Sequence, residues 1–207
     1  MEASSSRLWS VPRLWDGESC FVVCGGESVR DLDLSRLANR RVIVVNSSYE
    51  RLPNADFLVF SDKRWWKNKE GTGHSEAVRR LFTGQVVTVT PMLPCPDRYR
   101  LLGRARMSGL TPDPRHLAVF HTTTCPAINL AVHLGSPVIN VLGLDGRGGW
   151  HHEPHKFSVN PRKFYYHAIA LEALLEPLAR MGVQVYNAFQ DSAHKMFPHR
   201  SYEEMLA

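Results

Sequence analysis

The chain has 207 residues, 43% of them hydrophobic and 22% charged, with a formal net charge of +5 before its ten histidines are counted. That length buries a sizeable core, and the composition excludes a disordered, fibrous or disulfide-built chain. The longest apolar runs are a few residues each, too short for a membrane span, and the opening MEASSSRLWSVPRLWDGES lacks the apolar stretch of a secretory signal, so a cytoplasmic location is expected.

In chain order, residues 1–18 read as an N-terminal extension and 19–207 as one domain. Short β-branched runs mark strands at Cys20–Cys24, Arg41–Val45, Phe57–Phe60, Val86–Val89, Ala118–Phe120, Val138–Leu142 and Gln184–Tyr186. Helical patterns fall at Ser75–Phe82, with His74 or Ser75 near the start, and at Cys125–Leu134 and Pro161–Met181. The last two end at Gly135 and Gly182, and Pro177 is placed to divide the longer one. Runs apolar on both faces and separated by helices predict a buried, mostly parallel sheet, an open α/β fold of Rossmann type. The Pro- and Arg-rich segment 91–114 reads as an irregular insertion. The four cysteines, Cys20, Cys24, Cys95 and Cys125, form no framework and are expected to be reduced.

Ligands of such sheets sit beyond the carboxyl ends of the strands, so the loops there carry the candidate chemistry. Gly25-Gly26-Glu27-Ser28 follows the first strand; its glycines let backbone N–H groups approach an anion, and Ser28 is placed to cap a helix or donate to an oxygen. A plain tight turn is the alternative. Glu27 suits a ribose, base or metal better than a phosphate. Asn46, at the end of the second strand, can read a ribose or base through its amide, or simply close the strand. FSDKRWWKNKEGTGH combines Asp62, Lys63, Arg64, Trp65 and Trp66; cations beside exposed aromatics suit stacking on a base or sugar, against a bland reading of one core tryptophan and solvated charge. Thr122, Thr123 and Thr124 place three hydroxyls at a helix start, a phosphate or carboxylate site beyond what one N-cap needs. Asn129 and His133 read as packing or surface groups. In VLGLDGRGGWHHEPHKF, Gly143 and Asp145 end a strand, and His151, His152 and His155 follow. Pro154 disfavours a helical zinc pair, leaving acid–base work for a histidine. No P-loop, nucleophile elbow or H-E-x-x-H is present.

Taken in order, the Gly-Gly-x-Ser-Val turn, D-L-S-R-L and a strand ending in Asn-x-x-Tyr resemble the nucleotide-binding start of bacterial CMP-sialic-acid-dependent sialyltransferases. The pattern is similar to motility accessory factors and 6-hydroxymethylpterin diphosphokinase-like proteins too, and to short phage-encoded members of the same superfamily with R-W-W after the third strand. The resemblance runs from about Phe21 to Ala193. It puts the family's Gly-Asn-Gly-Pro-Ser turn on Cys24-Gly25-Gly26-Glu27-Ser28, without its Asn and Pro. The cytidine-reading Asn falls on Asn46, the Thr-Ser-Gly loop on Thr122–Thr124, and Gly-Ile-Asp on Gly143-Leu144-Asp145. The catalytic His aligns near Tyr165, leaving His167, His155 or His152 as the base.

The resemblance implies a glycosyltransferase that moves a sugar from a nucleotide-activated donor to an acceptor hydroxyl. Gly25, Gly26, Ser28, Asn46 and Thr122–Thr124 would form the donor pocket, with Asp145 orienting the sugar and Arg64, Arg104 or Arg106 neutralising the leaving phosphate. The basic balance suits an acceptor on modified phage DNA, in the cytoplasm of an infected host. The competing readings are an ATP- and Mg²⁺-dependent diphosphokinase on a pterin-like alcohol, with Asp62 and Asp145 as carboxylates, and a non-catalytic nucleotide- or nucleic-acid-binding module. A homo-oligomer and a Mg²⁺ requirement for the transferase stay open.

Overall fold

The computed structural model describes residues 8–67, 73–91, 98–152 and 162–207. Seven strands form one sheet: β1 (Cys20–Val23), β2 (Arg41–Val45), β3 (Phe57–Phe60), β4 (Gln85–Thr88), β5 (Tyr99–Leu101), β8 (Val138–Leu142) and β9 (Gln184–Asn187). Their order is β5-β4-β3-β2-β1-β8-β9, and each pairing is parallel. Two more strands, β6 (Gly103–Ala105) and β7 (His116–Ala118), pair in parallel as a separate ribbon. The helices are α1 (Lys63–Trp66), α2 (Ser75–Leu81), α3 (Thr124–Leu134), α4 (Lys163–Glu172), α5 (Leu175–Arg180) and α6 (Tyr202–Leu206).

The period-two alternation of the central strands divides their side chains between two cores. Cys20, Val22, Ile43, Val45 and Val59 face α3 and the α4–α5 pair, while Phe21, Val23, Val44, Leu58 and Phe60 face Trp65, Trp66, Val78 and α6. Both tryptophans are therefore core. Trp66 stacks on Phe60 at 4.7 Å, and Trp65 stacks on His74 at 4.5 Å while donating to Ser47 Oγ. Neither is left for stacking on a base, which corrects that reading of the R-W-W motif. Trp9, Val11 and Trp15, ahead of β1, pack against the first core, and the Trp15 amide donates to the Leu134 carbonyl.

Three local expectations shift. The stretch after β1 folds as two 3-10 turns, Glu27–Val29 and Leu34–Leu37, held by Arg51, whose guanidinium donates to the carbonyls of Val29, Arg30 and Leu32. The strand expected at Ala118–Phe120 lies at His116–Ala118 and joins β6, because a bridge between Phe120 and Thr122 and a positive φ of 55° at His121 turn the chain there. The long helix divides into α4 and α5. Pro177 has no N–H for the Ala173 carbonyl and its ring crowds that carbonyl, so it sits in the first turn of a new helix instead. Segment 91–114 contributes β5 to the sheet edge and β6 to the ribbon. Cys20, Cys24 and Cys125 are free and buried, and burial pushes each thiol up to about 12; Cys95 lies outside the described residues.

Candidate functional site

From β1 the chain moves outward in one direction through β2, β3, β4 and β5, then returns to place β8 on the other side of β1. The strand order thus reverses at β1, and open α/β sheets bind ligands at the carboxyl ends there. The joined loops after β1 and β8, the end of β2 and the start of α3 line a crevice at that point. Here the crevice is a cavity of about 340 Å³.

One wall is the Gly-Gly turn. The Gly26 amide donates to the Gly143 carbonyl at 3.0 Å, and a Cβ on Gly26 would fall 2.4 Å from that oxygen and 2.5 Å from Asp145. Glycine is thus required at 26 by the packing of two loops, since its backbone is ordinary extended chain. Asp145 is 4% exposed, and its carboxylate accepts from the Ser28 amide at 2.8 Å and from the Ser28 hydroxyl at 2.5 Å. Ser28 therefore ties one loop to the other and caps no helix. Glu27 points outward and pairs with Arg30 at 3.2 Å.

Asn46 closes β2 with φ of 50°, a backbone conformation that Asn tolerates better than most residues. It lines the cavity, and its buried Oδ1 has no hydrogen-bond partner among the described residues. The third wall is the start of α3. Thr122 Oγ1 accepts from the Thr124 amide at 3.2 Å, Thr123 Oγ1 lies 3.0 Å from Ser61 Oγ, and Thr124 Oγ1 lies 3.4 Å from Cys24 Sγ. Thr123 is the N-cap by backbone position but makes no side-chain capping bond. The hydroxyls knit the helix start to β1 and to the loop after β3, with all three threonines on the cavity.

The remaining wall is basic. Lys163 Nζ sits 4.5 Å from the ring centres of both Trp150 and Phe164, and burial lowers its pKa. Burial pushes the His167 imidazole down to about 4, with His194, Lys163 and His121 pressing the same way. His152 overhangs the turn, its Nε2 3.0 Å from where a Gly25 Cβ would stand. His151 faces elsewhere: its Nε2 lies 3.1 Å from Ser48 Oγ, and burial brings it to about 4.

Of the residues singled out from sequence, Gly25, Gly26, Asn46, Arg64, Thr122, Thr123, Thr124, Gly143, Asp145, His152 and His167 meet around this cavity. Asp62 does not reach it; its carboxylate caps α1 and pairs with Arg64 at 2.8 Å. His155 lies outside the described residues. Arg104 lines a neighbouring cavity and donates to the Ser61 carbonyl. Among the described residues no group of three His, Cys, Asp or Glu is arranged to hold a metal. Asn129 is fully buried, accepting from the amides of Thr111 and Ala118, as befits a packing residue.

Sequence reasoning named the loop that begins at His121 but gave no role to His121, Lys163 or His194. His121 follows a strand, which could have flagged it; Lys163 and His194 carry no local signal and arrive through α4 and the loop after β9.

No protein-family model and no curated protein matches the chain. Among solved structures it is similar to the sialyltransferase CstII from Campylobacter jejuni in complex with the substrate analogue CMP-3FNeuAc, at a TM-score of 0.53 and 12% identity over 88% of this chain and 85% of that one. A second structure of that enzyme, with cytidine-5'-monophosphate, gives 0.49 and 13% over 87% and 84%. A probable thiamine pyrophosphokinase from Staphylococcus saprophyticus gives 0.44 and 16% over 84% of this chain, which spans 65% of that protein's length. At 12% identity the likeness to the first of these is one of fold alone. Among the described residues no helix is long and apolar enough to cross a membrane.

Proposed function

We propose that the chain is a transferase that binds a nucleotide-activated donor in the crevice lined by the β1, β2 and β8 loops and the start of α3, and passes a sugar or similar group to an acceptor hydroxyl. The observation that carries this reading is Asn46. A buried amide oxygen without a partner costs stability unless something supplies a donor, and the residue that carries it, Asn46, lines a cavity. An exocyclic amine or ring N–H of a base, or a ribose hydroxyl, would satisfy it. The start of α3, with Thr122, Thr123 and Thr124 on the cavity beside the Gly25-Gly26 turn, then lies where a phosphate would be received. That the neighbour at TM-score 0.53 was solved with a CMP-linked substrate analogue supports the same class of ligand.

In the reaction, the acceptor O–H gives its proton to an imidazole as its oxygen attacks the carbon bearing the leaving group. The bond from that carbon to the phosphate oxygen breaks, and its electron pair leaves with the nucleotide. His152 is our candidate base because it stands over the turn that would hold the donor. His167, at about 4, is too weak a base to match neutral pH and serves instead, with Lys163, to face the departing phosphate. An acceptor on DNA accords with the net charge of +5.

A thermal-shift panel of CMP, UMP, UDP, GDP, ADP and ATP, each with and without Mg²⁺, tests the reading, since a ligand bound only by the native state raises Tm. A rise with one pyrimidine or sugar nucleotide is expected. A rise confined to ATP with Mg²⁺ would replace the proposal with a diphosphokinase, and no rise at all would leave a module without donor binding. For the base, His152→Gln should lower turnover by about a hundredfold or more while leaving the nucleotide shift in place. Unchanged turnover would remove His152 from the mechanism.

A further inference from the structure

A second cavity, of about 550 Å³, opens beside the first, and the two share Arg64, His121, Thr122 and Thr123 as a common wall. Its own lining differs in kind. Among the described residues, Lys63 and Arg104 join Arg64 there, against one carboxylate, that of Asp62, which Arg64 already engages at 2.8 Å. Val89, Pro91 and Val119 supply apolar floor. The Arg104 guanidinium is held by its bond to the Ser61 carbonyl at 2.8 Å, and the Thr90 hydroxyl donates to the same carbonyl. Arg104 and Arg64 are thus tethered at the edge of a concavity that Lys63 also lines. A solvated charged face would need neither the hollow nor the shared wall.

We infer that this second cavity is the acceptor subsite and that it takes a phosphate ester carrying the hydroxyl to be modified. Lys63 and Arg104 receive the phosphate, and the hydroxyl is presented across the Thr122–Thr123 rim toward the donor. The word acceptor rests on the transferase reading above; the binding of a phosphate ester does not. The same chemistry is offered by a small phosphomonoester and by the phosphodiester backbone of a nucleic-acid strand.

Isothermal titration of the full chain with glycerophosphate and with a short single-stranded oligothymidylate, with glycerol as the uncharged control, tests this. At least one phosphate probe should bind the wild type while glycerol does not. The Lys63→Gln, Arg104→Gln double variant should bind it about tenfold or more weakly, and Asn46→Gly, altered only in the first cavity, should bind it as the wild type does. Equal affinity for both probes assigns a single phosphate group. Oligothymidylate alone, with affinity falling steeply as salt rises, assigns a strand. Binding of neither probe, or binding undiminished in the double variant, overturns the proposal. Lys63→Gln alone, at an exposed position, keeps the test open if the double variant does not fold. Probe binding that persists when no nucleotide shifts Tm would sink the transferase reading while leaving the phosphate-ester site intact.

Discussion

Asn46 and Asn129 show how far one side chain type can diverge in role. Asn129 is fully buried with its oxygen accepting two backbone amides, so Asn129→Ala would strand the Thr111 and Ala118 N–H groups in the core. Urea denaturation should show a loss of about 2–4 kcal/mol. Asn46 also has a buried oxygen, but one with no partner among the described residues. Asn46→Gly suits the positive φ at that position, so Tm should hold or rise slightly while nucleotide affinity falls by about tenfold. A fall in Tm with unchanged nucleotide binding would assign Asn46 to the fold. Sequence marked Asn46 as a candidate by its place at a strand end, and the fold sets it on the cavity. It could not distinguish the two asparagines by satisfaction, because the partners of Asn129 come from β7 and the segment before it.

At the scale of elements, the crevice is made by two loops pressed together. Gly26 cannot accept a methyl group, since one would stand 2.4 Å from the Gly143 carbonyl and against Asp145. Gly26→Ala should therefore cost about 2–4 kcal/mol and disturb the Ser28–Asp145 clasp, as measured by chemical denaturation. Gly148→Ala, where an added Cβ meets nothing within 4 Å, should change stability by no more than about 0.5 kcal/mol. A comparable loss at both would mean that the turn is not specially packed. From sequence, Gly25-Gly26 reads as a cradle that lets amides reach an anion; folded, the Gly26 amide is spent on Gly143 and the glycine serves loop packing. Asp145 shifts in the same way, from sugar ligand to the acceptor that holds Ser28. Both shifts have one cause: β1 and β8 are 115 or more positions apart in the chain but adjacent in the sheet, and only that adjacency brings the loops into contact.

Across the whole molecule, burial leaves His74, His151 and His167 neutral down to about 4, against an ordinary value of 6.5. Between those values the unfolded chain binds protons that the native chain refuses, so stability is complete above about pH 6.5 and is lost as the pH falls toward 4. Tm should accordingly be flat near neutrality and fall progressively over that interval, and replacing His167 with Gln should make the fall shallower. A Tm independent of pH across the interval would contradict the burial of these rings. The sequence by itself determined the parallel α/β class, because doubly apolar strands alternating with helical segments have few other ways to bury both faces. It also determined most of the loops that would meet, because in such a sheet the carboxyl ends of all strands lie on one edge. Only the tertiary structure decided which loops face each other across the reversal between β2 and β8, which of their polar groups satisfy one another and which remain for a ligand. It alone delivered Lys163, His194 and the second cavity, since contacts between distant segments depend on strand order, which no local pattern encodes.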